Sequence, residues 1–137
     1  MAFPAKTKPK TLDLLWSHVV RRRDGDLCRH CRKNNGSAVH HIFSRRHKST
    51  RWDPENGITL CFYCHIRIAH EDAPYFIDWV QRAIGQDRYD KLKLQAATPA
   101  GRIDYTLTEI YLRDYEKRVI AIRQTKPSHA AVVIPVR

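Results

Sequence analysis

The chain has 137 residues, with 25 Lys and Arg against 14 Asp and Glu, four Cys and eight His. This length suits one modest domain with a helical appendage, and the absence of a long apolar run excludes a membrane-spanning protein. No apolar signal core follows the basic start, so we expect a cytosolic protein, a compartment in which cysteines bind metal more readily than they form disulfides.

The positive charge is concentrated in the first half of the chain. Residues 1–70 hold 14 Lys and Arg against 5 Asp and Glu, whereas residues 71–137 hold 11 against 9. The basic half also carries all four cysteines. Such a distribution favours a polyanionic partner, with nucleic acid as the first candidate and a merely basic, soluble protein as the alternative.

The first predicted elements are a basic arm and a helix. Residues 1–10 are interpreted as a flexible arm, and Thr11 is the candidate N-cap of a helix over 12–23 with a basic last turn. The turn Asp24-Gly25-Asp26 ends this helix. Its apolar stripe consists of Leu12, Leu15, Trp16, Val19 and Val20.

The middle of the chain predicts a small β-structure around a polar loop. Two short strands are predicted at 38–43 and 57–60, and the loop over 44–56 joins them. A helix that carries His65 and His70 follows Cys61.

The second half of the chain predicts helices. One begins at Pro74 and ends at Gly85, a second spans 86–97, and the linker over 98–101 follows. A capping-box pattern of Thr106 and Glu109 opens a third helix that runs to Arg123. The predicted inward residues of these three helices are Tyr75, Phe76, Trp79, Val80 and Ala83; Tyr89, Leu92 and Ala96; and Ile110, Tyr111, Tyr115, Val119 and Ile122.

The cysteines form two Cys-x-x-Cys pairs, Cys28 with Cys31 and Cys61 with Cys64, with 29 residues between the pairs. Two such pairs can complete a closed tetrahedral Zn²⁺ site that contributes folding energy and leaves no position open for chemistry. The alternatives are four unpaired thiols, or a mixed site in which His30 or His65 replaces one cysteine.

The insert between the pairs carries a group of histidines. His40 and His41 are neighbours on a predicted strand and therefore face opposite sides of it. Asn56 precedes the second strand, and His65 directly follows the last cysteine.

The pattern Val39-His40-His41-Ile42, then Asn56, then Cys61-Phe62-Tyr63-Cys64-His65 resembles the HNH, or ββα-metal finger, endonucleases of the four-cysteine type. The resemblance covers residues 28–70, called the finger below. It implies an α+β fold in which an N-terminal helix and C-terminal helices flank the finger. The implied division is an arm (1–10), a nuclease domain (11–97), a linker with a helix (98–123) and a tail (124–137).

The resemblance also implies roles for the site residues in hydrolysis of DNA. His41 is the general base, and its other ring nitrogen is expected to donate to a backbone carbonyl of the loop. His40 and His65 are the ligands of one catalytic Mg²⁺ or Mn²⁺, although imidazoles also fit nickel or zinc, and many members have Asp in place of His40. Asn56 is expected to bond backbone groups across the loop, with an ordinary turn Asn as the alternative.

The loop supplies candidate DNA contacts. Its cations are Arg45, Arg46, Lys48 and Arg51, which are expected to contact phosphates, or else belong to a solvated charged loop. Trp52 is expected to pack the loop. An α-helix places i+4 better than i+5 beside a shared metal, so His70, five residues after His65, is a candidate phosphate or leaving-group contact or simply a histidine at the end of a helix. His47 is a candidate for the same role on the loop.

A second set of stretches is similar to phage recombination proteins of the NinG type, which are implicated in processing branched DNA: Trp16-Ser17 to Arg23-Asp24, Ser44-Arg45-Arg46, Arg51-Trp52-Asp53-Pro54-Glu55-Asn56, and Gly85 to Tyr89 to Leu92. This similarity implies a phage or prophage origin and a bacterial host cytosol. It leaves the substrate open, so a structure-selective recombination nuclease on branched DNA is an alternative. The competing prediction is a zinc-stabilised DNA-binding protein without catalysis. A monomer and a homodimer both fit the sequence.

Overall fold

The computed structural model describes residues 5–125 and 131–134. The predicted α+β class is confirmed: along the chain, an N-terminal helix precedes a two-stranded sheet, and a set of C-terminal helices follows it. In chain order the elements are α1 (Pro9–Arg23), β1 (Ala38–His41), a 3-10 turn (Pro54–Asn56), β2 (Gly57–Leu60), a π-helix (Cys64–His70), α2 (Ala73–Ile84), α3 (Gln86–Ala97) and α4 (Tyr105–Thr125).

The two strands form an antiparallel hairpin in which Ala38 pairs with Leu60 and His41 with Gly57. β2 has the predicted bounds and is buried along its whole length. β1 ends at His41, two residues earlier than predicted, because the Phe43 N–H donates to the Asn56 side chain at 2.8 Å and not to a partner strand.

Helix α1 begins at Pro9, three residues before the predicted start. Proline suits the first position of a helix because its missing N–H would have no intrahelical partner there. The N-cap is Lys8, which makes no side-chain cap hydrogen bond, so the predicted cap at Thr11 is wrong. The predicted arm therefore shortens, and its residues 1–4 lie outside the described residues.

Helix α1 lies directly against β2, and Gly57 allows this close approach. A Cβ at Gly57 would lie 2.7 Å from Trp16 Cζ2 and 2.8 Å from Val20 Cγ2. Arg23 fixes the end of the helix: its buried guanidinium donates to Asp24 at 2.8 Å and to the carbonyl of Gly57 at 2.7 Å. The position of α1 over the hairpin is therefore fixed by packing and by buried polar contacts.

Helices α2 and α3 meet at Gly85, whose φ of 90° favours glycine, and the predicted end of α2 is confirmed there. The inward residues predicted for α3, Tyr89, Leu92 and Ala96, are buried. In α2 Phe76 and Val80 are buried, whereas Tyr75 is exposed.

Helix α4 begins differently from the prediction. Its first turn is capped by Asp104, whose Oδ1 accepts from the N–H of Leu107 at 3.0 Å. The predicted capping box is therefore wrong, and Glu109 instead accepts from the Thr7 hydroxyl at 2.5 Å.

The buried face of α4 agrees with the prediction in part. Tyr115 and Val119 are buried as predicted, whereas Ile110 and Tyr111 are exposed and Leu112, which was not predicted, is buried. Leu112 packs with α1 in one apolar cluster, and Tyr115 and Val119 pack with α1 and with Val132 in another, so α4 belongs to the same core.

The described tail residues 131–134 continue this packing, since the N–H of Val132 donates to the Arg23 carbonyl at 2.8 Å. The rest of the predicted tail lies partly in α4 and partly outside the described residues. Among the helices described, none is both long enough and apolar enough to cross a membrane.

Candidate active site and metal centres

The four cysteines converge on one point, as their spacing predicted. Their Sγ atoms all lie within 4.8 Å of one another, and Cys31 and Cys61 are 3.9 Å apart. Four sulfurs bound tetrahedrally to one Zn²⁺ lie about 3.8 Å apart, so this donor set fits a structural zinc ion. Although burial opposes it, the backbone N–H groups of Lys33 and Asn34 lower the pKa of Cys31 to about 7, which favours the thiolate form.

The two histidines considered for a mixed site lie outside the sulfur cluster. His30 is beside it, with Nδ1 at 3.4 Å from Cys64 Sγ and Nε2 at 3.1 Å from the Tyr75 hydroxyl. His65 belongs to a different cluster. The geometry therefore favours the all-cysteine site over the mixed one.

A second cluster consists of three imidazoles. His40 on β1 faces His65 and His70 of the π-helix, and one ring nitrogen from each lies within 4.8 Å of the others. The Nε2 atoms of His65 and His70 are 3.0 Å apart. Nitrogen ligands at right angles around one divalent ion also lie about 3 Å apart, so the three side chains fit a single ion with positions left open.

The π-helix explains the presence of His70 in this cluster. Its hydrogen bonds join residues five apart, as between the Glu71 N–H and the Ile66 carbonyl at 3.1 Å. His70 therefore lies beside His65, and the prediction that the i+5 spacing keeps His70 away from a shared ion is wrong. Burial and the two neighbouring imidazoles lower the pKa of His40 to about 4, which keeps its ring neutral and free to act as a ligand.

His41 lies on the opposite side of β1 and is held by two contacts. Its Nε2 lies 2.9 Å from the carbonyl oxygen of Arg51, which is the loop carbonyl contact that the sequence predicted. Its ring stacks on Trp16 with centroids 3.9 Å apart and planes 9° from parallel. Burial lowers the pKa of His41, although the Arg51 carbonyl and Asp13 oppose the shift. The ring is therefore neutral at neutral pH and has a lone pair that can accept a proton.

The loop that carries Arg51 is tied to α1 through Asp13. Its carboxylate accepts from Arg51 at 2.7 and 3.0 Å and from the indole N–H of Trp52 at 2.8 Å. Burial disfavours the ionised form, yet the bonds from Arg51 and Trp52 lower the pKa of Asp13. Trp52 is buried, so the prediction that it packs the loop is confirmed.

Asn56 is completely buried and joins both ends of the loop. Its Oδ1 accepts from the Phe43 N–H at 2.8 Å, and its Nδ2 donates to the carbonyls of Phe43 at 2.9 Å and Thr50 at 3.1 Å. The predicted backbone role of Asn56 is confirmed, and the alternative of an ordinary turn residue is wrong.

The loop cations divide into two groups. Arg45, Arg46 and Lys48 are exposed, as is His47. Arg51 instead directs its guanidinium to Asp13 and lies over the Trp52 ring at 4.8 Å. The predicted phosphate contact of Arg51 is therefore replaced by a scaffold role.

Sequence reasoning missed Asp13 and Trp16 as site residues. Both lie on α1, outside the finger, and neither carries a local signal for its role. The spacing of three residues predicts that Asp13 and Trp16 lie on the same face of α1. It does not predict their contacts with the loop and with His41, because those contacts depend on how α1 packs.

Comparison with known proteins agrees with this geometry. Residues 28–71 match the family model of the HNH endonucleases. Comparisons with curated proteins and with solved structures gave no match. The matched segment contains the hairpin, the following helix and the four cysteines that could hold one metal ion, so the similarity to the HNH endonucleases and the geometry of the segment agree.

Proposed function

We propose that the protein is an endonuclease that hydrolyses phosphodiester bonds of DNA, with His41 as the general base. The observation that carries the proposal is that two neighbouring histidines of β1 stand in two different environments, one suited to a general base and the other to a metal ligand. His41 is a buried ring with one nitrogen bound to a carbonyl, and its neighbour His40 faces His65 and His70. A purely structural zinc domain needs neither arrangement.

The three clustered imidazoles would hold one divalent ion. Nitrogen ligands suit zinc or nickel, whereas Mg²⁺ or Mn²⁺, the ions that the resemblance implies, would rely more on water and phosphate oxygens at the open positions. Bound there, the ion would supply positive charge to a non-bridging phosphate oxygen and to the departing 3′ oxygen. His70 is thus added to the predicted ligands His40 and His65.

His41 would take the proton from the attacking water. With Nε2–H donating to the Arg51 carbonyl, Nδ1 keeps the lone pair that accepts this proton. Stacking on Trp16 fixes the plane of the ring, and the bonds from Arg51 and Trp52 to Asp13 fix the loop that supplies the carbonyl. The chain thus orients its base through contacts that lie outside the finger.

Arg45, Arg46 and Lys48 would bind the phosphates of the substrate. They are exposed on the loop that also carries the carbonyl partner of the base. Such contacts position DNA without reading its sequence, and they weaken as salt concentration rises.

The test is conversion of supercoiled plasmid with and without added Mg²⁺ or Mn²⁺. We expect metal-dependent nicking by the wild type and a loss of roughly 10²- to 10⁴-fold for His41→Ala, the range of general-base contributions. His18→Ala, on α1 with its ring 2.9 Å from the Glu116 carboxylate, is the matched control and should keep most of the activity.

Equal conversion by wild type and His41→Ala would refute catalysis at this site. DNA binding without any cleavage would favour the alternative of a zinc-stabilised DNA-binding protein. The NinG-type resemblance, the phage origin, the cytosolic location and the oligomeric state stay predictions.

A further inference from the structure

We propose that a surface beside the sulfur cluster, formed by Arg32, Lys33, Phe62 and Tyr63, binds single-stranded DNA by stacking its rings on unpaired bases. We call these four residues the knuckle surface. The proposal rests on the proposed function and names its substrate class: DNA with an unpaired stretch next to the site of cleavage.

The two rings of the knuckle surface are unusually exposed for apolar side chains. Phe62 is 74% exposed and Tyr63 is 63% exposed, the highest values among the described aromatic residues. Their backbone is held firmly, because they lie between the buried Cys61 and Cys64 and the His65 N–H donates to the Cys61 carbonyl at 2.9 Å. Exposed rings on a rigid support form a stacking platform.

Two exposed cations lie on the other Cys-x-x-Cys pair of the same sulfur cluster. Arg32 and Lys33 directly follow Cys31, whose Sγ lies 3.9 Å from that of Cys61, so both pairs of residues border the same four sulfurs. Arg32 has a φ of 58°, a left-handed conformation that glycine adopts without a steric penalty and that Arg does not. The turn that follows Cys31 imposes this conformation, since the Arg32 N–H donates to the Cys28 carbonyl at 3.0 Å.

The charge of the surrounding segment favours a polyanion over an apolar protein partner. Residues 27–70 contain only two acidic residues, Asp53 and Glu55. Both are engaged elsewhere, Asp53 with Gln95 and Glu55 with Arg88 and Tyr115. No acid of this segment therefore competes with phosphate for Arg32 and Lys33.

The rings decide which nucleic acid fits. In a continuous duplex the base faces are covered by their neighbours, so exposed rings can stack only on unpaired bases. The knuckle surface also adjoins the imidazole cluster, since Cys64 and His65 are consecutive residues. We therefore place the unpaired stretch of the substrate next to the proposed cleavage site.

The test compares the binding of two labelled DNAs by fluorescence anisotropy, a continuous duplex and the same duplex with a single-stranded gap. The binding protein is His41→Ala without added divalent ion, so that no cleavage interferes. When Phe62→Ala and Tyr63→Ala are both introduced into this His41→Ala protein, we expect binding of the gapped DNA to weaken roughly tenfold or more. Binding of the continuous duplex should change less than about twofold. The pair Phe62→Tyr and Tyr63→Phe should keep wild-type binding.

Leu94→Ala is the matched control, because Leu94 is equally exposed but lies on α3. Zinc content and circular dichroism verify that each variant is folded. Should the alanine pair lose zinc, Arg32→Gly takes its place: it removes the cation while relieving the backbone, so we expect higher stability with weaker DNA binding.

An equal loss on both DNAs, or no loss on either, would overturn the proposal, as would unchanged DNA binding by Arg32→Gly. These outcomes are distinct from a failure of the proposed function. A protein that prefers gapped DNA through its rings but cuts none refutes only the nuclease activity, whereas one that cuts without this preference refutes only the knuckle surface.

Discussion

Asn56 is the side chain whose loss should damage the loop most. It is completely buried and makes three hydrogen bonds to backbone groups of Phe43 and Thr50. Asn56→Ala would leave the N–H and the carbonyl of Phe43 without partners, whereas the Thr50 carbonyl keeps the Asp53 N–H at 3.1 Å. Each buried unsatisfied group costs about 1–3 kcal/mol. We therefore expect the free energy of unfolding to fall by about 3 kcal/mol, measured by urea denaturation.

The matched control is Asn35→Ala, a substitution of the same type at an exposed position of the finger. It should change the free energy of unfolding by less than about 0.5 kcal/mol. Equal stability of the Asn56→Ala variant and the wild type would show that the loop does not depend on this amide.

At the scale of single residues, sequence reasoning succeeded where a role follows from the chemistry of the residue itself. A buried base needs a partner for its second nitrogen, and an Asn before a strand can bond the loop backbone, so His41 and Asn56 were placed correctly. It failed for Arg51, whose partner Asp13 lies 38 residues away on α1. Nothing near Arg51 in the sequence distinguishes an ion-paired side chain from a free one.

At the scale of elements, the π-helix is the feature that sequence periodicity could not predict. Its spacing of five residues between His65 and His70 argued against a shared ligand role only because an α-helix was assumed. Packing fixes the helix at both ends, since Cys64 and Ala69 are buried. A local widening of this kind often occurs at functional sites.

The π-helix leads to a prediction for His70. If it brings His70 to the same ion as His65, His70→Ala should weaken Mn²⁺ binding roughly tenfold or more, as much as His65→Ala does. Electron paramagnetic resonance of bound Mn²⁺ measures this affinity directly, and His47→Ala is the exposed-histidine control. Wild-type affinity in the His70→Ala variant would exclude His70 from the metal site.

The ends and faces of helices were predicted correctly where nearby residues determine them and incorrectly where distant residues do. The end of α2 at Gly85 and the inward face of α3 were predicted correctly from turn chemistry and spacing. The buried face of α4 was predicted only in part, because apolar side chains lie on several sides of this helix, among them the exposed Leu107, Ile110 and Tyr111. The apolar residues of α1 decide which side is buried. Periodicity identifies an inward face well only when one side of a helix is clearly apolar.

At the scale of the whole molecule, the core of the described residues consists of three apolar clusters, and only one of them includes the cysteines of the proposed zinc site. One cluster contains Cys28, Cys61 and Cys64 together with β2 residues and residues of α2. Two further clusters join α1 to α4 and to the described tail residues and contain no cysteine. A metal ion in the sulfur cluster would therefore support the finger directly, and would support α1 and α4 only through the contacts of α1 with the hairpin and the loop.

This division predicts the effect of removing one zinc ligand. Cys31 is only half-buried, so Cys31→Ser changes little apart from the metal bond. Because a structural zinc site contributes several kcal/mol to folding, we expect zinc content well below one ion per chain and a midpoint of thermal unfolding at least about 10 °C lower. At temperatures below this midpoint the circular dichroism signal of helices should remain close to that of the wild type, because α1 and α4 keep their apolar contacts.

His30→Ala is the control for this experiment, because His30 lies beside the sulfur cluster without belonging to it. This variant should retain zinc and melt close to the wild type. If Cys31→Ser melted at the wild-type temperature with its zinc gone, the four sulfurs would not be what holds the finger together. The rigidity that we assign to the base, the imidazole cluster and the knuckle surface would then need another source.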